Sequence, residues 1–357
     1  MAKKHKIILY VFIVISLTVS YLVYGRNEFL AYLNGGKNDF FTFILTHFYP
    51  RFILEKSRFP TEFYLLKIDQ FLLRILFAIS IVFVLSFKST FDFLLNKDVS
   101  TSKMQGKVLH IIYFSFLFYI TFDWWILYTK LDEISIFYSP LKIISFLPYP
   151  HLVVVKTLLV IMWLSALLNF FYTKWGIKLA TMLIFSYLQA LFFSFNKIDH
   201  GYLLFTYVGY LFIFWNQNEK WNGKLMGAIQ LTICLAYTFA GLEKLFSSGF
   251  TWAEASNFKT FLLLHPNDVS IWLSKNYLLC LLLPLFAFLF QITFLLAFFN
   301  QKLRQFYLII GILFHVGTFY IFNIGAIFHP WLLTYLFFIP STFFDAINFS
   351  KKSHKPE

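Results

Sequence analysis

The stretch "YTFAGLEKLFSSGFTW" (237–252) closes a long apolar run and places Glu243 and Lys244 side by side where the run ends. An ionisable side chain costs about 2.5–3.5 kcal/mol at the centre of a membrane helix, so such residues mark helix ends or functional sites. Removal of a lysine amine from water disfavours its charged form, and a neutral amine can accept a proton from a phenol. Lys244 is therefore the first candidate for a catalytic base.

Further ionisable residues lie inside or at the edges of apolar runs: Arg74, His110, Asp123, Lys156, His200, His315 and His329. Several of these positions also have an ordinary structural interpretation. Lys244 and Arg74 are compatible with cations that reach from helix ends to lipid headgroups. Asp123, which precedes two tryptophans, is compatible with an interfacial residue, and His315 with a core histidine bonded to backbone. The sequence alone leaves both interpretations open.

Sequence motifs for other chemistries are absent. No HxxxH or HExxH pair predicts a metal site, and no GxSxG, P-loop or GxGxxG pattern occurs. Cys234 and Cys280 both lie inside apolar runs and form no CxxC pair, so no disulfide framework is predicted. The sequence therefore predicts a site without a metal ion.

The elements that must position these residues are membrane helices. Hydrophobic residues make up 59% of the chain and charged residues only 13%, about half the share usual in soluble domains. Continuous apolar runs match the roughly 20 residues that cross a bilayer as helix and differ from the alternating segments of a barrel. The prediction is an all-α polytopic bundle of nine or ten spans, of which the fifth and sixth are short: 7–24, 70–87, 108–129, 151–173, 179–195, 201–216, 225–244, 277–299, 305–323 and 329–345.

The distribution of positive charge predicts the orientation. Lys and Arg are denser in the loops that lie inside when the N-terminus is cytoplasmic, so both termini are predicted to be cytoplasmic. The net charge of +13 is then explained by basic loops that face anionic lipid, without a nucleic-acid partner. "MAKKHK" and the apolar run after it are interpreted as an uncleaved signal anchor in the plasma (inner) membrane.

This orientation places most ionisable span residues in the outer half of the membrane. We expect one polar site that opens to the outer face, walled by aromatic helices. The predicted divisions are two N-terminal spans with an outer interfacial segment (1–107), a compact core (108–345) and a basic cytoplasmic tail (346–357). Residues 245–276 are predicted to form amphipathic interfacial pieces that cover the mouth of the bundle.

Four segments resemble, in the same order, the membrane domain of the vitamin K-dependent γ-carboxylase superfamily and its short bacterial relatives, the HTTM-domain proteins. The first three are "FDWWILYTKLDEISIFYSP" (122–140), "KIDHGYLLFTYVGYLF" (197–212) and "YTFAGLEKLFSSGFTW" (237–252). The fourth is "FHVGTFYIFNIGAIFHPWLLTYLFFIP" (314–340). The resemblance covers about two-thirds of the chain.

The resemblance implies an activity and roles for particular residues. Lys244 matches the lysine that activates reduced vitamin K, and His200 matches a histidine implicated in the same chemistry, so both are candidate catalytic residues. The implied cofactor is a reduced quinone of the vitamin K or menaquinol type. Residues expected to surround that cofactor are Asp123, Trp124, Phe239, His315 and Phe319.

Departures from the family restrict the expected function. We expect no counterpart of the large lumenal β-rich domain of the carboxylases, and Gln291 stands where relatives often have a carboxylate. Full carboxylation is therefore not expected, whereas quinol oxidation at the outer face is. The alternative is a non-enzymatic accessory membrane protein for maturation or export of a secreted peptide, with that peptide or a separately encoded subunit as partner. A transporter is disfavoured because no inverted repeat is visible.

Overall fold

The computed structural model describes residues 3–48, 59–95, 99–171, 174–195, 201–322 and 329–352. Every regular element within these ranges is a helix, which confirms the predicted all-α class. The chain divides into two compact units. Unit 1 comprises Met1–Phe93 and Leu242–Trp252, and unit 2 comprises Leu94–Gly241 and Ala253–Glu357. Unit 1 thus takes in a short later segment, and the predicted divisions at 107 and 345 stay predictions.

The first five helices run from the N-terminus to the start of unit 2. They are α1 (Lys3–Ser20), α2 (Arg26–Leu33), α3 (Asp39–Phe48), α4 (Thr61–Leu85) and α5 (Lys88–Leu95). A π-helical turn, Tyr21–Gly25, joins α1 to α2 without a break. Gly35 follows α2 with a φ of +99°, a conformation that glycine adopts without steric cost and that commonly ends helices.

Polar side chains tie α1 and α2 to α4 within unit 1. The Tyr10 hydroxyl lies 2.7 Å from Ser80 Oγ, and the Tyr21 hydroxyl donates to Asp69 Oδ1 at 2.5 Å. Arg26 Nε lies 3.5 Å from the same Asp69 oxygen. Such bonds between apolar helices are typical of membrane bundles, where hydrophobic burial does not drive helix association.

The remaining helices are numbered in chain order. They are α6 (Lys103–Tyr128), α7 (Leu152–Phe171), α8 (Trp175–Phe195), α9 (Leu203–Phe212), α10 (Glu219–Ser248), α11 (Ala255–Leu264), α12 (Asp268–Ser274), α13 (Tyr277–Thr293), α14 (Leu296–Phe299), α15 (Gln301–Phe322), α16 (Pro330–Thr334) and α17 (Ser341–Lys352). Short 3₁₀ turns occupy Ser135–Phe137, Lys142–Ile144, Gly249–Ala253 and Tyr335–Phe338.

Tyrosine hydroxyls and glycines determine how closely the helices of unit 2 pack. Helix α6 packs along α7, and α7 packs along α8. The Tyr113 hydroxyl donates to the Phe205 carbonyl at 2.8 Å, and the Tyr128 hydroxyl donates to the Leu188 carbonyl at 2.9 Å. A Cβ at Gly241 would lie 2.6 Å from the backbone nitrogen of Ile292, so only glycine lets α10 and α13 approach this closely.

Seven helices within the described ranges are long and apolar enough to cross a membrane, which supports a multi-pass membrane protein. They extend over His5–Leu33, Thr61–Leu85, Lys103–Tyr128, Leu152–Phe171, Trp175–Phe195, Glu219–Ala253 and Gln301–Phe322. An eighth span results if α12 and α13, which meet at 107°, are counted as one broken crossing. The prediction of nine or ten spans therefore exceeds what length and composition support.

Two predicted spans account for the difference between ten and eight. The segment predicted at 201–216 contains only the ten-residue helix α9, about 15 Å long, roughly half the bilayer's hydrocarbon thickness. The segment predicted at 329–345 is divided into α16, the 3₁₀ turn Tyr335–Phe338 and the start of α17. Pro340 lies between that turn and α17, and proline supplies no N–H to continue a helix.

Candidate functional site

Lys244 lies in the last turns of α10, in the part of the helix that belongs to unit 1. Its Nζ is 5.0 Å from the centroid of the Trp252 ring. Gly249, with a φ of +60°, ends α10 in the left-handed region and starts the 3₁₀ turn that contains Trp252. The left-handed residue thus lies between the amine and the aromatic ring that it contacts, and a contact of this kind is favourable to a cation.

Glu243, the neighbour of Lys244, has its own partner in unit 1. Arg74 of α4 binds the Glu243 carboxylate with two nitrogens: Nε donates to Oε2 at 3.1 Å, and Nη2 contacts Oε1. Successive helix positions point about 100° apart, which lets an acid and a base in adjacent positions face different surroundings. From the sequence, Arg74 was compatible with a cation that reaches lipid headgroups. In the structure it forms this ion pair with Glu243.

The segment 242–252 is fastened to α4 at two more points. Gln70 Nε2 donates to the Ser247 carbonyl at 2.8 Å, and the rings of Phe77 and Phe246 have centroids 5.3 Å apart. Lys244 therefore belongs to a segment that contacts α4 through an ion pair, a hydrogen bond and a pair of rings.

A chain of hydrogen-bonded aromatic side chains forms the second feature, inside unit 2. The Tyr335 hydroxyl donates to the Tyr237 oxygen at 2.6 Å, and Tyr237 Oη lies 2.6 Å from His315 Nε2. The ring of His315 stacks on His329, with centroids 4.4 Å apart and planes 20° apart. Tyr237 is fully buried, and Tyr335 and His315 are 6% and 7% exposed. Three elements, α10, the 3₁₀ turn after α16 and α15, supply the hydrogen-bonded groups.

Apolar aromatic rings enclose this chain. Phe294 stacks on Tyr237 with centroids 4.2 Å apart, and Trp331 meets Tyr237 edge-on at 4.6 Å. Gly311 of α15 faces Tyr335, since a Cβ at Gly311 would lie 2.0 Å from the Tyr335 oxygen. The glycine therefore leaves the space that the phenol group occupies.

A third polar group lies where α6, α8 and the end of α9 meet. Lys178 is fully buried, and its Nζ donates to the Trp215 carbonyl at 2.7 Å. His110 Nδ1 lies 2.7 Å from the Gly106 carbonyl, while its Nε2 is buried and has no hydrogen-bond partner among the described residues. Lys178 lies one residue before the predicted span 179–195 and was therefore expected in a loop. Its place at the start of an apolar run was the signal that could have revealed it.

The five residues expected around a cofactor lie in different surroundings. The side chain of Asp123 is exposed, whereas Trp124 is 1% exposed and stacks on Phe185 at 5.5 Å. Phe239 is 41% exposed. His315 belongs to the hydrogen-bonded chain described above.

Phe319, the fifth, lines an open cleft of about 570 Å³ in unit 2. The turn between α11 and α12 and the last turn of α15 form its walls: Leu264, His265, Pro266, Asn267, Asp268, Val269, Phe319, Tyr320 and Phe322. Asn267 braces the turn by donating from Nδ2 to the Ile321 carbonyl at 3.0 Å. The lining includes none of the other four expected residues.

His200, the second candidate catalytic residue, lies outside the described residues, so its catalytic role stays a prediction. Among the residues that the structure describes, no three His, Cys, Asp or Glu side chains are grouped to hold a metal ion.

Comparison of the chain with protein-family models, with curated proteins and with solved structures finds no match. The function is therefore inferred from the chemistry of the residues themselves.

Proposed function

We propose that this multi-pass membrane protein is an enzyme of the HTTM or vitamin K-dependent γ-carboxylase-like type. It would oxidise a quinol-type lipid at the outer face of the plasma membrane, with Lys244 as the base. Four ordered segments of sequence support the family, and the surroundings of Lys244 support the role of the base.

The observation that carries the proposal is that the acid of the Glu243–Lys244 pair has a partner of its own, Arg74. A carboxylate beside an amine stabilises the ammonium form and so opposes proton acceptance. Here the Glu243 carboxylate is bound by Arg74 through two nitrogens. Lys244 Nζ lies instead against the face of Trp252. Because the Arg74 charge offsets that of the Glu243 carboxylate, this carboxylate stabilises the Lys244 ammonium less than an unpaired one would.

The chain's own groups would perform two tasks. Lys244 Nζ would accept the proton of a phenolic hydroxyl, and the ring of Trp252 would offer an aromatic surface next to that nitrogen. A bound quinol would supply the reducing electrons. The fold of α10 and Gly249 holds the amine and the ring together before any ligand arrives.

The test begins with the lipid extract of the purified protein, in which we expect a quinone. Quinol consumption under O₂ is then measured for wild type, Lys244→Ala and Lys244→Arg. Loss of a general base lowers turnover by about 10²–10⁴-fold, and arginine does not replace it because its guanidinium stays protonated. Equal turnover in Lys244→Ala and wild type would reject the role of Lys244.

Lys156 offers a matched control. Its Nζ lies 5.1 Å from the centroid of the Trp125 ring, nearly the same contact that Lys244 makes with Trp252. Lys156→Ala removes a cation from an indole face but leaves Lys244 in place, so turnover should persist. A comparable loss in both variants would show that the contact stabilises the fold.

The alternative, a non-enzymatic accessory protein for a secreted peptide, has one observation in its favour. Large apolar side chains on α11 and α12 are exposed, among them Leu264, Val269 and Trp272 at 68%, 42% and 61%. If this function holds, Lys244→Ala is tolerated, while Leu264→Ser and Trp272→Ser abolish capture of the peptide.

A further inference from the structure

We propose that Tyr335, Tyr237 and His315 form a proton relay in the core of unit 2, a function distinct from the role proposed for Lys244. The relay would move one proton between the Tyr335 end of the chain and the imidazole of His315. Its three members come from separate elements and contact one another directly.

The hydrogen bonds of the three side chains follow one order, from Tyr335 through Tyr237 to His315. Tyr335 donates its hydroxyl proton to the Tyr237 oxygen at 2.6 Å. That oxygen has one proton of its own and lies 2.6 Å from His315 Nε2, which accepts this proton when the imidazole is the Nδ1–H tautomer. The three groups therefore form one continuous sequence of donors and acceptors, and hydrogen bonds in such a sequence strengthen one another in a low-dielectric interior.

Tyr237 differs in its hydrogen-bond partner from two other buried tyrosines of unit 2, Tyr113 and Tyr128. The hydroxyls of Tyr113 and Tyr128 donate to backbone carbonyls, those of Phe205 and Leu188. A carbonyl oxygen accepts a hydrogen bond but does not take up the proton at physiological pH. Tyr237 ends instead on an imidazole nitrogen, the side-chain group best suited to take up and release a proton.

The proton balance of the relay is simple. His315 Nε2 takes the proton of Tyr237 while the Tyr237 oxygen takes the proton of Tyr335, so one positive charge appears on His315 and one negative charge on Tyr335. Water then returns a proton to Tyr335 and accepts one from His315, so both groups regain their starting charge. No bond other than O–H and N–H forms or breaks, so no redox partner is needed.

His329 limits how many protons the two neighbouring histidines can hold. Its ring stacks on His315 with centroids 4.4 Å apart, and its Nδ1 accepts the backbone N–H of Trp331 at 3.3 Å. Two stacked imidazoles repel each other when both are cations, so they share at most one additional proton. His329 is half-buried, in contrast to the buried His315, and therefore forms the more accessible end of the pair.

The relay is tested by changing the acidity of one phenol without changing its shape. Tyr237 is replaced in the full-length protein, reconstituted in lipid, by mono-, di- and trifluorotyrosine, which are progressively more acidic. The ¹⁵N resonances of the histidine rings are followed by solid-state NMR, with His315→Gln identifying the His315 signal. We expect that signal to move stepwise towards the imidazolium position as the phenol becomes more acidic.

Two further variants separate a relay from a structural bond. Tyr335→Phe removes the hydrogen bond that stabilises a Tyr237 phenolate, so it should move the His315 signal back towards the neutral position. The same fluorinated series at Tyr113, whose hydroxyl ends on a carbonyl, should leave the His315 signal unchanged.

A His315 signal that stays constant through the Tyr237 series would overturn the relay, and so would an equal response to the Tyr113 series. The fluorinated side chains keep the size of tyrosine, and near-UV circular dichroism verifies the fold of each variant. No quinol enters the measurement, so its outcome is independent of the test of Lys244.

Discussion

The phenol oxygen of Tyr237 and Nε2 of His315 lie 2.6 Å apart although 78 positions separate them in the chain. This single bond joins α10 to α15 at a depth where both side chains are buried. In a bilayer an unpaired polar group finds no water, so the bond contributes to stability as well as to any transfer of protons.

The energetic coupling of this pair can be measured with a double-mutant cycle. Tyr237→Phe and His315→Gln should each destabilise the protein by about 1–3 kcal/mol, because each leaves a buried partner unsatisfied. The double variant should cost less than the sum of the two, by about 0.6–1.7 kcal/mol, the range for hydrogen bonds between membrane helices. Reversible unfolding in mixed micelles provides the free energies. Tyr128→Phe combined with His315→Gln is the control, and strict additivity in the Tyr237 cycle would contradict the bond.

Gly311 should tolerate no side chain. A Cβ there would lie 2.0 Å from the Tyr335 oxygen, so Gly311→Ala displaces the phenol and should destabilise the protein by about 1–3 kcal/mol. Gly317 on the same helix is the control, since its nearest neighbour, Ile321 Cδ1, would be 4.0 Å away. Gly317→Ala should be neutral or stabilising by up to about 1 kcal/mol. Thermal unfolding that fails to distinguish the two variants would show that Tyr335 moves aside without cost.

The ion pair of Arg74 and Glu243 should stabilise the protein because each charge neutralises the other. Loss of one partner leaves a charge unpaired, which costs about 2.5–3.5 kcal/mol at the bilayer centre and less near its edges. Arg74→Gln and Glu243→Gln should therefore each reduce the yield of monodisperse protein, and the exchange Arg74→Glu with Glu243→Arg should restore much of it. Lys275→Gln, at an exposed position, serves as the control. If the exchange is no better than the single variants, the pair is not what stabilises this segment.

The short helix α9 decides on which side of the membrane α10 ends. We expect that α9, although about 15 Å long, crosses together with its flanking residues, which keeps the end of α10 at the outer face. Single cysteines at Ser139 and Gln217, in a chain with Cys234 and Cys280 replaced by alanine, test this with a membrane-impermeant thiol reagent.

Ser139 and Gln217 should then be labelled from opposite sides. Lys174→Cys is the reference, because one long helix, α7, separates it from Ser139. Labelling of Ser139 and Gln217 from the same side would mean that α9 does not cross. The end of α10 would then lie inside, and the proposed outer-face chemistry would be wrong.

The sequence by itself determined the class of the protein and most of its long helices. Apolar runs of about 20 residues can satisfy their backbone groups in lipid only as helices or closed barrels, so composition and run length are sufficient for that conclusion. The same reasoning did not predict how short the helix in 201–216 is or that 329–345 is divided, because apolarity does not show where a helix ends. Pro340 was visible in the sequence, yet its effect was outweighed by the hydropathy around it.

The sequence revealed only some of the residues that form the candidate site. Lys244 and His315 stood out because a costly polar residue inside an apolar run is conspicuous by itself. Tyr237 and Tyr335 did not, because a tyrosine in such a run is ordinary, and its importance depends on what its hydroxyl meets. Packing between helices far apart in the chain decided that His315 lies beside Tyr237 and that Arg74 binds Glu243, and no local pattern encodes such contacts.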